Sequence, residues 1–316
     1  MIELTDITAA EIAAEFVRAR RRAGSPAMGM VMTLVFVVDE EESDEAMKAA
    51  RAASREHPAR VLGVILGDAR GAARVDAQVG IGAGWAGESA MIRLRGEVTK
   101  HPESVVRPLL LPDSPVVVWW PTKAPDDPAE DPLGRLARRR ITDAAGVSRN
   151  KARAMLTQCH AYEPGNTDLA WTRITGWRAL LAAALDQHPG KVTAASVAAE
   201  RISPSADLLS AWLADRLKVK VERTTSPGPG ITAVVLETKD GPVKIVRHDG
   251  KLATFSVPEQ PDRPVALKRR EVDELLAEEL RHLDPDDVYA ETVKRMIRLD
   301  KAGTSARPKA RAQKSS

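Results

Sequence analysis

Two tryptophans, two arginines and one aspartate fall within Asp168-Leu-Ala-Trp-Thr-Arg-Ile-Thr-Gly-Trp-Arg178, in a chain that is only 3% aromatic. Trp and Arg are the side chains most enriched where one protein grips another. The segment reads as a contact surface, with Trp171, Arg173, Trp177 and Arg178 as anchors. Asp168 either orients an arginine or caps a helix. A competing reading makes Trp171 and Trp177 a weld between two domains. If one helix runs throughout, Trp171, Thr175 and Arg178 share a face; alternatively Thr175 caps a new helix that starts at Gly176.

A second concentration of chemistry is Arg135-Leu-Ala-Arg-Arg-Arg-Ile-Thr-Asp143, with four arginines in six residues. It reads either as the solvated face of a helix or as an anion clamp through Arg139 and Arg140, because arginine forks match phosphate and carboxylate. Trp119-Trp120-Pro121 ends an apolar strand. One indole points to each side of such a strand, so either one belongs to the core and the other to the wall of a crevice beyond the strand end, or both are core.

Other combinations are excluded as sites. Gly82-Ala-Gly84-Trp-Ala-Gly87 matches a dinucleotide fingerprint. That fingerprint needs a preceding strand and a following helix, and here a strand follows, so a hairpin loop is expected. Three of the six histidines precede proline and no pair has metal-ligand spacing. Cys159 and His160 are adjacent, and helical neighbours diverge in direction, which argues against a nucleophile–base pair. No metal site, cofactor or catalytic constellation is expected.

The elements that must hold these residues follow from periodicity. Helices are expected at 7–21, 43–56, 105–111, 133–144 and 148–160. Strands are expected at 30–38, 60–66, 75–81, 89–98 and 116–120. This alternation predicts a three-layer α/β domain with a mostly parallel sheet and an antiparallel edge hairpin, over residues 1–164. Glu163-Pro-Gly-Asn166 marks the boundary. Residues 165–299 are expected to form an α+β domain. Its helices cover 168–185, 205–217, 271–283 and 285–299, and its antiparallel meander is joined by Asp-Gly turns at 240–241 and 249–250.

Residues 301–316 hold five basic residues and no acid; without them the net charge of +3 becomes −2. The body is therefore not built for nucleic acid, and residues 300–316 are expected to form a disordered basic tail. The single cysteine fits a reducing, cytoplasmic setting. No apolar run is long enough for a membrane span, and no signal peptide is evident at the N-terminus.

Three stretches carry a family resemblance: Leu109-Leu-Leu-Pro-Asp-Ser-Pro-Val-Val-Val-Trp-Trp-Pro121, Arg139-Arg-Ile-Thr-Asp143 and Asp168 to Arg178. Together with Asp284-Pro-Asp-Asp-Val-Tyr289 they resemble the OpcA family, the glucose-6-phosphate dehydrogenase assembly proteins, over residues 1 to about 299. The resemblance implies a non-catalytic partner of glucose-6-phosphate dehydrogenase that promotes its active oligomer and supports NADPH supply. Gly176 departs from the proline expected in many relatives, which leaves the helix start less rigid. The cysteine-dependent redox control of photosynthetic relatives does not carry over as an intramolecular disulfide, since Cys159 stands alone.

Overall fold

The computed structural model describes residues 2–23, 29–81 and 87–305. The chain divides into two compact units, residues 1–175 with 269–286, and residues 176–268 with the remainder.

In the first unit, short β1 (Ile2–Leu4) precedes α1 (Ala9–Ala23), β2 (Met32–Val38), α2 (Ser43–Ala53) and β3 (Ala59–Leu66). There follow β4 (Arg74–Ile81), β5 (Glu88–Arg95), α3 (Pro102–Val106) and β6 (Val116–Trp120). The unit continues with β7 (Arg139–Thr142), α4 (Lys151–His160), β8 (Asn166–Asp168) and α5 (Leu169–Thr172). These strands form one eight-stranded sheet in the order β1-β4-β5-β3-β2-β6-β7-β8. Only β1–β4 and β4–β5 are antiparallel; the other pairs are parallel. β2 and β6 are buried throughout, as expected of parallel strands covered on both faces.

The second unit starts along α6 (Thr175–Gln187) and continues with β9 (Val192–Ala199), α7 (Pro204–Leu217), β10 (Val221–Thr225), β11 (Ile231–Thr238), β12 (Gly241–Val246), β13 (Leu252–Ser256) and β14 (Arg263–Ala266). α8 (Val272–Arg281) returns to the first unit, and α9 (Asp287–Ser305) completes the second. The second sheet has six strands in the order β10-β9-β11-β12-β13-β14. All its pairs are antiparallel except β10–β9. A two-residue loop, Lys239-Asp240, joins β11 to β12, with Thr238 opposite Gly241.

The first unit has the expected three layers. Ala46, Met47, Ala50 and Ala53 of α2 join Leu275, Leu276 and Leu280 of α8 on one face of the sheet. Ile12 and Phe16 of α1 pack with Val105 and Val106 of α3 on the other. The antiparallel edge is also present, extended by β1.

One expected element changes type. The helix expected over 133–144 is a short turn followed by strand β7. Its arginines favour helix, but both edges of this segment are hydrogen-bonded into ladders with β6 and β8. Tertiary pairing outweighs a propensity difference of about 0.7 kcal/mol per residue or less. The compact units also divide away from 164/165. β8 adds to the edge of the first sheet, and α8 covers that sheet, so residues 165–175 and 269–286 belong with the N-terminal strands. Residues 300–305 continue α9 rather than opening a tail; 306–316 lie outside the described residues. Of the glycine-rich stretch, residues 82–86 also lie outside them. The flanking β4 and β5 are antiparallel, with Ile81 opposite Glu88, so the helix that dinucleotide binding requires is replaced by a strand.

Candidate functional site

β6, β7 and β8 run parallel and end in register, with Trp120 opposite Thr142 and Thr142 opposite Asp168. Their C-terminal ends therefore deliver side chains to one place. Asp168 is fully buried, and its Oδ2 accepts from Thr142 Oγ1 at 2.7 Å and the Ala144 amide at 2.9 Å. Its Oδ1 accepts from the Ala170 amide at 2.8 Å, so Asp168 caps α5. Gly165 sets up this entry. Its φ is +94°, and a Cβ there would sit 2.7 Å from the Arg138 carbonyl oxygen, a position open only to glycine.

Beside Asp168, the Asp143 carboxylate accepts both terminal nitrogens of Arg173, at 2.6 and 2.7 Å. Asp143 is buried, while the Arg173 side chain keeps 25% of its surface. Burial, and then the charge of Asp143, push the Asp168 carboxyl up to about 6, against the pull of its three hydrogen bonds. An unfolded Asp titrates near 3.9. Between about pH 4 and 6 the native state therefore holds a proton that the unfolded chain has lost, and stability falls as pH rises through that window. Asp168→Asn has no such proton. Urea unfolding at steps from pH 4 to 7 should show the wild type losing on the order of 2 kcal/mol relative to the variant. A difference that does not vary with pH would show that Asp168 does not titrate there.

Residues of three of the stretches that carried the resemblance meet in the first unit. Trp171 Nε1 donates to Asp286 Oδ2 at 2.8 Å. Arg139 Nη2 donates to Glu279 Oε2 at 2.7 Å, and its Nη1 to the Asp284 carbonyl at 2.8 Å. Thr172 Oγ1 donates to the other Glu279 oxygen at 2.6 Å, and Thr175 Oγ1 to Glu278 Oε1 at 2.7 Å. α8 and the loop after it thus form a polar spine against β7 and α5. The sequence does not reveal Asp143, Glu279 and Asp286 as acceptors, although Asp143 and Asp286 lie in the quoted stretches. Asp143 fell inside the wrongly expected helix, and the other two are remote in the chain.

This arrangement corrects two readings. Trp171 and Trp177 are each only 1% exposed, so neither offers an anchor to another protein. Trp177 has the Arg247 guanidinium 5.1 Å above its ring. A buried indole stabilises by area and by its N–H partner, and that use wins here. Arg173 and Arg178 keep partial exposure. The anion clamp also dissolves. Arg139 is spent on Glu279 and Asp284. Arg140 donates to Asn166 Oδ1 and to the carbonyls of Pro164 and Ala137. As for Thr175, α5 stops at Thr172 and α6 opens at Thr175 itself, so two helices replace the single one.

Trp119 and Trp120 point to opposite faces of the sheet, and both are buried. The chain turns to β3 on one side of β2 and to β6 on the other, so the sheet switches direction between β2 and β6. Crevices outside strand C-termini at such a switch are the usual ligand positions. Two grooves lie there. One, of about 510 Å³, is lined by Asp39, Lys123, Asp143, Arg149 and Arg153 among others. The second, of about 550 Å³, is lined by Trp119, Asp143, Arg173, and parts of α2 and of the start of α8. Among the described residues no acidic, His or Cys cluster could hold a metal ion, and no helix is long and apolar enough to cross a membrane.

Cys159 is buried in α4, and burial with the nearby Asp168 charge pushes its thiol up to about 12. The thiolate is the reactive form. Iodoacetamide at pH 8 should therefore leave Cys159 unmodified in native protein and label it fully in urea. Rapid native labelling would contradict the packing around α4.

The family model for the glucose-6-phosphate dehydrogenase subunit N-terminal domain matches residues 50–160, and that for the C-terminal domain matches residues 164–293. No curated protein matches the chain. Among solved structures, an oxidoreductase from Sinorhizobium meliloti is 10% identical, with a TM-score of 0.47, covering 87% of this chain and 97% of that one. A 3-ketoreductase from Actinomadura kijaniata, solved with TDP-benzene and NADP, is 11% identical with a TM-score of 0.45, covering 87% and 98%. Likeness at this level transfers no activity.

Proposed function

We propose that this chain, which belongs to the OpcA family of glucose-6-phosphate dehydrogenase subunits, is a non-catalytic partner that binds glucose-6-phosphate dehydrogenase and favours its active oligomer. It would thereby support the oxidative pentose phosphate pathway and NADPH production. The observation that carries this reading is the pair of family matches, which together run from residue 50 to residue 293 with only 161–163 between them. The internal use of Arg139, Arg140, Asp168 and Trp171 supports it too, because these groups build a scaffold and leave no reacting set in the Trp/Arg segment.

A partner activates only by binding one state of the enzyme more tightly than another. A coupling of about 1–3 kcal/mol would change the dehydrogenase's substrate affinity by about 5–150-fold. Of the segment first read as a contact surface, Arg173 is paired with Asp143 yet keeps 25% of its side chain exposed, and that edge is the part proposed for the contact. The test is to titrate the chain into purified dehydrogenase and follow NADPH formation and co-elution. Co-elution with a lowered KM is expected; unchanged kinetics with no co-elution removes the proposal.

A second reading, a sugar-phosphate or nucleotide sensor, is favoured by the groove of about 510 Å³ at the sheet's switch point. Its exposed Lys123, Arg149 and Arg153 now replace Arg139 and Arg140 as the anion-binding set. Calorimetry of the isolated chain with glucose 6-phosphate and with NADP decides. Heat of saturable binding supports the sensor, and its absence removes it.

A further inference from the structure

We infer that the groove of about 550 Å³ between α2 and α8 is a docking trough for an extended, basic segment of the partner protein. The inference deepens the proposed function and rests on it, since the partner is taken to be the dehydrogenase.

α2 and α8 lie side by side over the sheet. Near their C-terminal ends Arg281 donates to Glu56 at 2.6 Å, so the two helices run in the same direction. The groove opens along their N-terminal parts, at the end of β6. Ala46, Ala49 and Ala52 line it from one side of α2, and Val272 lines it from α8. Side chains three apart on a helix are neighbours, so these alanines make a continuous apolar floor. From Glu42 to Ala52 that floor runs about 15 Å, the span of about four or five residues of extended chain. The shape suits a strip of polypeptide.

Two buried groups in the trough lack a partner. Trp119 lines it and is only 1% exposed, and its Nε1 has no hydrogen-bond acceptor. Glu42 also lines it, and its buried Oε2 receives no donor. An unmet buried donor or acceptor carries the full cost of its desolvation. A segment with a backbone carbonyl for the indole N–H and a cationic head for the carboxylate would remove both costs.

The charge of the lining selects the sign of the occupant. Glu42, Glu45, Glu271 and Asp273 face a single unpaired cation, Lys48. Asp143 and Arg173, also in the lining, neutralise each other through hydrogen bonds of 2.6 and 2.7 Å. The exposed Lys123, Arg149 and Arg153 line the neighbouring groove instead. Lysine and arginine lay their stems on apolar surface while the head stays with a polar partner, and opposite potentials across an interface set which partner is accepted. The exposed edge of Arg173 adds donors for carbonyls of the segment.

The test uses the full chain and purified dehydrogenase. E45K reverses an exposed charge in the lining and should weaken co-elution about fivefold or more. A49W fills the trough and should abolish it. D44K, exposed on α2 but outside the lining, should leave binding unchanged. A photo-crosslinking p-benzoylphenylalanine at Lys48, an exposed lining residue, should join a dehydrogenase segment in which lysine and arginine outnumber acids. Melting curves check that each variant is folded, and the surface change E45K keeps the test decisive if A49W does not fold. Equal effects of E45K and D44K overturn the inference, because only bulk charge would then matter. Undiminished co-elution of folded A49W also overturns it, while the dehydrogenase reading stands. An adduct to a neutral or acidic segment overturns it too, and an adduct to this chain's own residues 306–316 assigns the trough to them. Absence of co-elution by the wild type removes the dehydrogenase reading and this inference together.

Discussion

Trp171→Ala should cost the first unit about 3–5 kcal/mol, the range for emptying a buried aromatic site. Trp171 is among the largest fully buried side chains of the protein. Its loss leaves a void beneath α5 and strips Asp286 of the indole N–H that it accepts at 2.8 Å. Trp171→Phe keeps most of the volume and removes only the hydrogen bond, so about 1–3 kcal/mol is expected. Urea unfolding followed by circular dichroism separates the two variants. The same proteins test the contact reading. If Trp171 only supports its unit, folded Trp171→Phe should bind the dehydrogenase as the wild type does. A variant of undiminished stability that no longer co-elutes would restore Trp171 as an anchor.

The second large effect is expected at Arg139. Its side chain is 4% exposed and that of its partner Glu279 is 7% exposed, with 2.7 Å between nitrogen and oxygen. Arg139→Met leaves the Glu279 carboxylate buried, with Thr172 still donating to its other oxygen. Breaking a buried pair in this way typically costs about 3–5 kcal/mol. Arg139→Met combined with Glu279→Met removes both charges, and should recover most of the loss, because apolar replacement of whole buried pairs is often neutral. A double-mutant cycle measures the coupling. Additive single effects would mean that the ion pair contributes nothing specific to joining α8 to β7. Arg139→Met should leave any binding of glucose 6-phosphate untouched, since the guanidinium faces inward.

These two residues also show where sequence reasoning stops. β2, β3 and β6 were legible because a run buried on both faces needs apolar residues at every position. The second-unit hairpin at Lys239-Asp-Gly241 was legible because a tight turn needs particular residues. Asp168 was legible as a helix cap, since only a short polar side chain closes that end. β7 was not legible. Its arginines are soluble-looking residues with good helix propensity, and what makes them a strand is pairing with β6 and β8 on both sides. Three-residue strands such as β1 and β8 carry too little pattern to be seen. The Trp/Arg segment misled for a related reason. The residue types that dominate interfaces are those that bury large area and bind acids, and an interior uses the same properties. Its partners Glu278, Glu279 and Asp286 lie more than a hundred positions downstream, and nothing local announces the pairing.

The return of residues 269–286 to the first unit has a consequence for dissecting the molecule. The backbone passes between the units three times, after Thr175, Lys268 and Asp286. Neither unit is therefore one uninterrupted stretch of polypeptide. A fragment stopped near residue 164 would lack β8 and α8, and would leave bare the sheet face that Leu275, Leu276 and Leu280 cover. Residues 176–268 act as a long excursion whose ends must meet before α8 can dock, and long closures cost little more entropy than short ones. Truncation at the apparent sequence boundary is thus expected to yield aggregating pieces instead of two autonomous halves.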